Sequence, residues 1–163
     1  RHTAKSEPVF GGVYKLTAVE NEQGEIIPKI KCSENVEKIT IPHFKKVYRL
    51  YNKENGKAIA DYMTVYDEVV DENEPMMLFD PYATWKTKNV CNYQARELLV
   101  PVFLKGKRVY ESPALKDIQT YCKQQVDTLW DEIKRFDNPQ TYYVDLSQKL
   151  WDIQQELLRK NRN

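Results

Sequence analysis

Apolar residues change their spacing once along this chain, and that change constrains its fold class. From Leu115 onward they recur mostly three and four apart. Leu115, Ile118, Cys122, Val126, Leu129, Trp130, Ile133 and Phe136 form one stripe of a helix. Ser112 is placed to cap it, and Pro113 then takes the first helical position, where a missing N–H costs nothing. Asp137-Asn138-Pro139 stops it. A second stripe, Leu146, Leu150, Ile153, Leu157 and Leu158, predicts a further helix starting at Asp145 with Gln148 as its capping-box partner. A one-sided helix needs a surface to cover, so Trp130, beside Leu129 and Ile133, is expected to be buried against a sheet.

The first two-thirds supply that sheet. Val13 to Glu20 has strand composition, with Tyr14, Leu16 and Ala18 on one face. Asn21 to Glu25, containing Gly24, reads as a hairpin turn, and Ile26 to Cys32 can return as its partner, confined by Pro28 to an edge or an irregular strand. Lys46 to Asn52 and Lys57 to Tyr66 form a second hairpin around Asn55-Gly56, a pair suited to the positive φ of tight turns. An acidic stretch, Asp67 to Pro75, divides the chain. Met76 to Phe79, Thr84 to Asn92, Arg96 to Phe103 and Arg108 to Glu111 follow as short strands, with turns at Asp80-Pro81 and Lys105-Gly106. Arg96 to Phe103 is also compatible with a helix as far as Pro101. The fold class is therefore α+β: β-hairpins and short strands first, two amphipathic helices last.

Composition excludes several functions. Of 163 residues, 41% are hydrophobic and 30% charged, a globular balance. No run approaches the ~20 apolar residues of a membrane helix, so no membrane partner is expected. A net charge of +1 gives no field that steers the chain toward nucleic acid. Cys32, Cys91 and Cys122 are odd in number and far apart, which fits a reducing cytoplasm better than a disulfide scaffold.

No catalytic or metal constellation emerges. His2 and His43 are the only histidines, and each reads as a surface residue. Metal ligand spacing, a strained serine elbow and a phosphate-binding glycine loop are all missing. Gly11-Gly12 can admit a phosphate, although a tight turn is the commoner reason for such a pair. The acidic stretch reads as a solvated loop without the calcium-loop pattern. Residues 29–57 concentrate Lys29, Lys31, Lys38, Lys45, Lys46, Arg49, Lys53 and Lys57, with Tyr48 and Tyr51 interleaved. A free-standing module binding nucleic acid or another polyanion would use such a segment. But Tyr48 and Tyr51 lie an odd number of residues apart, so a regular strand points them to opposite faces. No nucleic-acid partner is expected.

Gly11-Gly12-Val13-Tyr14-Lys15-Leu16-Thr17-Ala18-Val19 resembles the GGVYKLVAV segment of bacterial nicotinate phosphoribosyltransferases. Further matches follow in family order: Lys29 to Thr40 with the K-x-S-x-x-x-E-K segment, and Lys46-Val47-Tyr48-Arg49-Leu50-Tyr51 with the VYRL strand. Thr84-Trp85-Lys86, Ala95 to Phe103, Leu129-Trp130-Asp131-Glu132, Lys134-Arg135 and Tyr143 to Ser147 continue the series. No single motif is decisive; the ordered set, covering nearly the whole chain, is specific. The family departs from this chain at Arg1 and His2, where it has apolar residues, at His43, where a Gly-like residue is expected, and at Cys32, where an apolar or small one is.

The resemblance implies the C-terminal part of a larger α/β-barrel enzyme of NAD salvage. Such an enzyme joins nicotinate to phosphoribosyl pyrophosphate, giving nicotinate mononucleotide, with ATP hydrolysis through a phosphorylated histidine and with Mg²⁺. It implies a cytoplasmic homodimer at full length. Residues 1–20 would end the barrel region, 21–75 would form a β-rich connection and 76–163 a C-terminal α+β domain. The phosphorylated histidine and the phosphate turn belong to segments upstream, so neither His2 nor His43 receives that role. No catalytic or metal residue is assigned, cofactor-binding residues stay unknown, and ATP and Mg²⁺ are not expected on this chain.

Overall fold

A computed structural model describes residues 11–161. Two compact units are present: one spans Lys45–Asp152, and the other holds the residues up to Phe44 with those from Ile153 on.

The smaller unit carries a short hairpin, β1 (Ala18–Glu20) and β2 (Ile26–Pro28), paired antiparallel with Val19 opposite Ile27. Its turn forms as expected. Gly24 takes φ +81°, and the Asn21 side-chain oxygen accepts the Gln23 and Glu25 N–H groups. The strands are shorter than the composition suggested: Val13, Tyr14 and Leu16 are exposed and irregular. Residues 29–32 likewise leave the sheet after Pro28, and the Lys31 N–H bonds the Thr40 hydroxyl instead.

The larger unit is built on a four-stranded sheet in the order β10-β4-β3-β7. Strands β3 (Lys45–Asn52) and β4 (Ala58–Val65) form the hairpin around Asn55-Gly56. Only Gly56 needs positive φ, at +67°. Asn55 instead accepts the Lys57 N–H through its side chain, so the loop is wider than a two-residue turn. Alternation places Tyr48, Leu50, Ala58 and Ala60 inside. Strand β7 (Tyr93–Glu97) adds to β3; of the segment expected as a strand or helix over 96–103, only Arg96 and Glu97 belong to it, and residues 98–102 are irregular. Strands β5 (Met76–Asp80) and β6 (Ala83–Val90) make a separate hairpin whose Leu78 and Val90 join Tyr48, Leu50, Ala60 and Tyr93 in the core. Strands β8 (Phe103–Leu104) and β9 (Lys107–Arg108) turn through Lys105 and Gly106, both at positive φ.

The helical part departs most from the periodicity. Helix α1 covers Leu115–Asp127 and buries none of its residues. It starts after Ala114 rather than at Pro113, and the Ser112 hydroxyl accepts a hydrogen bond from Arg108 instead of capping. It ends at Thr128, not at Asp137, because the start of β4 takes its last carbonyls. The Lys57 ammonium donates to the Asp127 and Leu129 oxygens, and the Ala58 N–H to the Thr128 oxygen. Trp130 therefore lies outside the helix at 41% exposure, not buried; its indole N–H donates to the Ala58 carbonyl.

The second stripe is split as well. Val144–Leu146 forms β10, parallel to β4 with Asp145 opposite Tyr62, so Asp145 does not begin a helix. Helix α2 is Gln148–Lys160, and Ser147 is its cap, accepting the Leu150 N–H at 3.2 Å. Leu146 and Leu150 are both buried, one from the strand and one from the helix. Trp151 meets Phe79 edge-on, with ring centroids 6.1 Å apart.

Candidate functional site

The parallel addition of β10 to β4 brings Asp145 into the lining of an open cleft of about 700 Å³. Ile59 from β4 and Phe79 and Asp80 from β5 line it, with Trp130 and Tyr142 from the segment leading to β10. That size lies in the usual range for small-molecule sites. Asp145 is only 5% exposed, and its Oδ1 is buried without a hydrogen-bond partner. Buried carboxylates are nearly always paired, because losing water without compensation is costly. Desolvation, then the nearby negative charge of Asp80, push the Asp145 carboxyl up to about 6; Lys88 opposes the rise. Asp80 is fixed by its turn: its Oδ1 accepts the Tyr82 and Ala83 N–H groups at 2.8 and 3.2 Å.

Two arginines on the sheet are fully engaged. Arg49 and Asp61 form a two-pronged pair, at 2.8 Å from Nε and 2.9 Å from an Nη. The Tyr142 hydroxyl donates to the same carboxylate, and the guanidinium lies 5.7 Å from that ring centre. The hydrogen bond with Asp61 holds the Arg49 pKa above its usual value, and desolvation raises that of Tyr142. Arg96 sits between the rings of Tyr51 and Tyr121 and donates to the Tyr121 hydroxyl and the Gln125 side chain.

Two further cations of the basic segment have internal partners. Lys53 pairs with Glu72 at 3.4 Å, and Lys57 serves the end of α1. Burial lowers Lys45 to about 8. Tyr48 faces the core, whereas Tyr51 meets Arg96 and Gln125, so the two rings do occupy opposite faces. His43 is half-buried in the smaller unit at φ +78°, a backbone conformation that favours glycine, which suits the Gly-like position noted above. His2 lies outside the described residues. Gly11 and Gly12 are exposed, and a Cβ on either would meet nothing within 4 Å, so neither serves a packed turn.

The acidic stretch is a largely exposed loop, as expected, that also braces the sheet through a few of its groups. Glu68 accepts from the Val65 N–H and the Ser147 hydroxyl, Glu72 accepts from the Ala95 N–H, and the Tyr93 hydroxyl donates to the Asp71 carbonyl. Sequence reasoning missed Asp145 because its spacing to Gln148 imitates a capping box. The nearby Ser147 was the only local signal for a different helix start.

A family model described as the nicotinate phosphoribosyltransferase C-terminal domain matches residues 44–154. This chain belongs to that family. Among curated relatives, the nicotinate phosphoribosyltransferase of Bacillus subtilis is 42% identical over 149 residues, 91% of this chain and 30% of the relative. That of Caenorhabditis elegans is 32% identical over 161 residues, 98% of this chain and 28% of the relative. The chain therefore spans less than a third of the nicotinate phosphoribosyltransferases it matches and corresponds to their C-terminal domain. The crystal structure of human nicotinic acid phosphoribosyltransferase superposes with a TM-score of 0.66 at 23% identity, over 73% of this chain and 24% of the human one. That likeness is one of fold.

Proposed function

We propose that this chain is the non-catalytic C-terminal scaffold of a nicotinate phosphoribosyltransferase. The complete enzyme makes nicotinate mononucleotide and pyrophosphate from nicotinate and phosphoribosyl pyrophosphate, with ATP hydrolysis and Mg²⁺, as a cytoplasmic homodimer. The observation that carries this reading is the collinear match at 42% identity over 91% of the chain, which accounts for only 30% of the relative. The remaining length is where the barrel, its phosphate turn and its nucleophilic histidine would lie, with residues 1–20 closing the barrel region.

The chemistry of the described residues supports a scaffold. No three His, Cys, Asp or Glu side chains among them converge into a metal-holding group. Arg49 and Arg96 are spent on internal contacts. The test is direct: purified chain is given nicotinate, phosphoribosyl pyrophosphate, ATP and Mg²⁺. No nicotinate mononucleotide should form, and turnover would refute the assignment of catalysis to other segments.

A further inference from the structure

We propose that the cleft beside β10 binds a planar organic cation, a guanidinium on a slender apolar stem, with Asp145 as its carboxylate partner. The case starts from a deficit. Asp145 is buried, its Oδ1 has no partner, and among the described residues no lysine or arginine forms an ion pair with it. A fold that retains an uncompensated carboxylate in an open cleft has a place for a donor from outside.

The walls narrow the chemistry. Ile59, Phe79 and Trp130 line the cleft with apolar and aromatic groups, of which Trp130 is the most exposed, and such a wall suits a hydrocarbon stem and a cation stacked on an aromatic ring. A guanidinium is planar, weakly hydrated and presents several N–H groups in one plane. Those groups can meet Asp145 and the nearby Asp80, whose Oδ2 is not used in its turn. An ammonium is a strongly hydrated point charge and loses more on entering such a site. Lys86 and Lys88 line the same cleft, so a second positive charge on the ligand is disfavoured.

The test is calorimetric titration of the chain with n-butylguanidinium at pH 7.5, with n-butylammonium as the control. Saturable binding with a Kd below ~10 mM is expected, tighter for the guanidinium. Asp145→Asn should weaken it by at least ~10-fold, the loss of one charged hydrogen-bond partner, while the thermal transition shows the variant still folded. Lys88→Gln should bind as well or more tightly, because a repelling charge is gone. No binding by the native chain, equal binding of the ammonium, or unchanged binding by Asp145→Asn overturns the proposal. A last arm rests on the reading of this chain as part of a longer enzyme, and the first arms do not. If the full-length enzyme also binds n-butylguanidinium, the natural occupant is a free small molecule. If only the shorter chain binds it, the occupant is an arginine of the remaining polypeptide.

Discussion

Replacing Asp145 by asparagine should make the protein more stable at neutral pH. The isolated aspartate carboxyl has a pKa of 3.8, and burial with Asp80 nearby raises it to about 6 in the fold. Each pKa unit corresponds to ~1.4 kcal/mol, so keeping the charged form inside costs about 3 kcal/mol once the group is fully ionised. Asparagine keeps the shape without the charge. It introduces a buried N–H₂ that gives back about 1 kcal/mol, leaving a net gain on the order of 2 kcal/mol. The sign with pH follows from which state holds the proton. Between about pH 4 and pH 6 the folded carboxyl remains protonated while the unfolded one has ionised. The native protein therefore loses stability as pH rises through that window, and asparagine removes the loss. Urea unfolding of both proteins at pH 4, 5, 6 and 7.5 measures it. The two curves should nearly coincide at pH 4 and separate to about 2 kcal/mol at pH 7.5. A variant less stable than native at pH 7.5, or a difference independent of pH, would refute the placement of this carboxylate.

Ser147→Ala should cost about 2 kcal/mol, combining the lost cap on α2 with the lost hydroxyl donor to Glu68, and thermal unfolding reads it as a fall of several degrees. Arg49→Ala strands the half-buried Asp61 and should cost about 2–3 kcal/mol, whereas Tyr142→Phe should cost about 1 kcal/mol; a double-mutant cycle between Arg49 and Asp61 should return a coupling above ~1 kcal/mol. Trp130→Ala should cost about 1–2 kcal/mol in a urea titration, below the ~3–5 kcal/mol of a core tryptophan, because the ring is 41% exposed and keeps one hydrogen bond.

What could be read from the sequence was what neighbouring residues decide. Asn55-Gly56 and Gly24 announced their hairpins because turn geometry is local. The end of α1 was not legible, since Leu129 and Trp130 continue its apolar spacing, while the distant Lys57 and Ala58 join the local Thr128 hydroxyl in taking its last carbonyls. Strand β10 was hidden for a related reason: three residues are too few for a period, and Leu146 falls at the right distance from Leu150 to pass for the same helix. The cleft was not legible either. Asp80 and Asp145 lie in different strands, and only parallel pairing onto β4 brings the second carboxylate within reach of the first.

That parallel pairing also dictates an order of events during synthesis. Strands β3 and β4 are adjacent in the chain and can zip together as soon as both have left the ribosome. The outer edge of β4 cannot be closed until Val144–Leu146 emerges, after β5 to β9 and all of α1. Between the emergence of Val65 and that of Val144 the growing chain therefore displays an open strand edge able to pair with another nascent copy. Contacts so distant in sequence form slowly, so this closure is the step where folding and aggregation compete. Slowed elongation just before codon 144 should raise the aggregated fraction, and a chaperone that shields β4 should lower it.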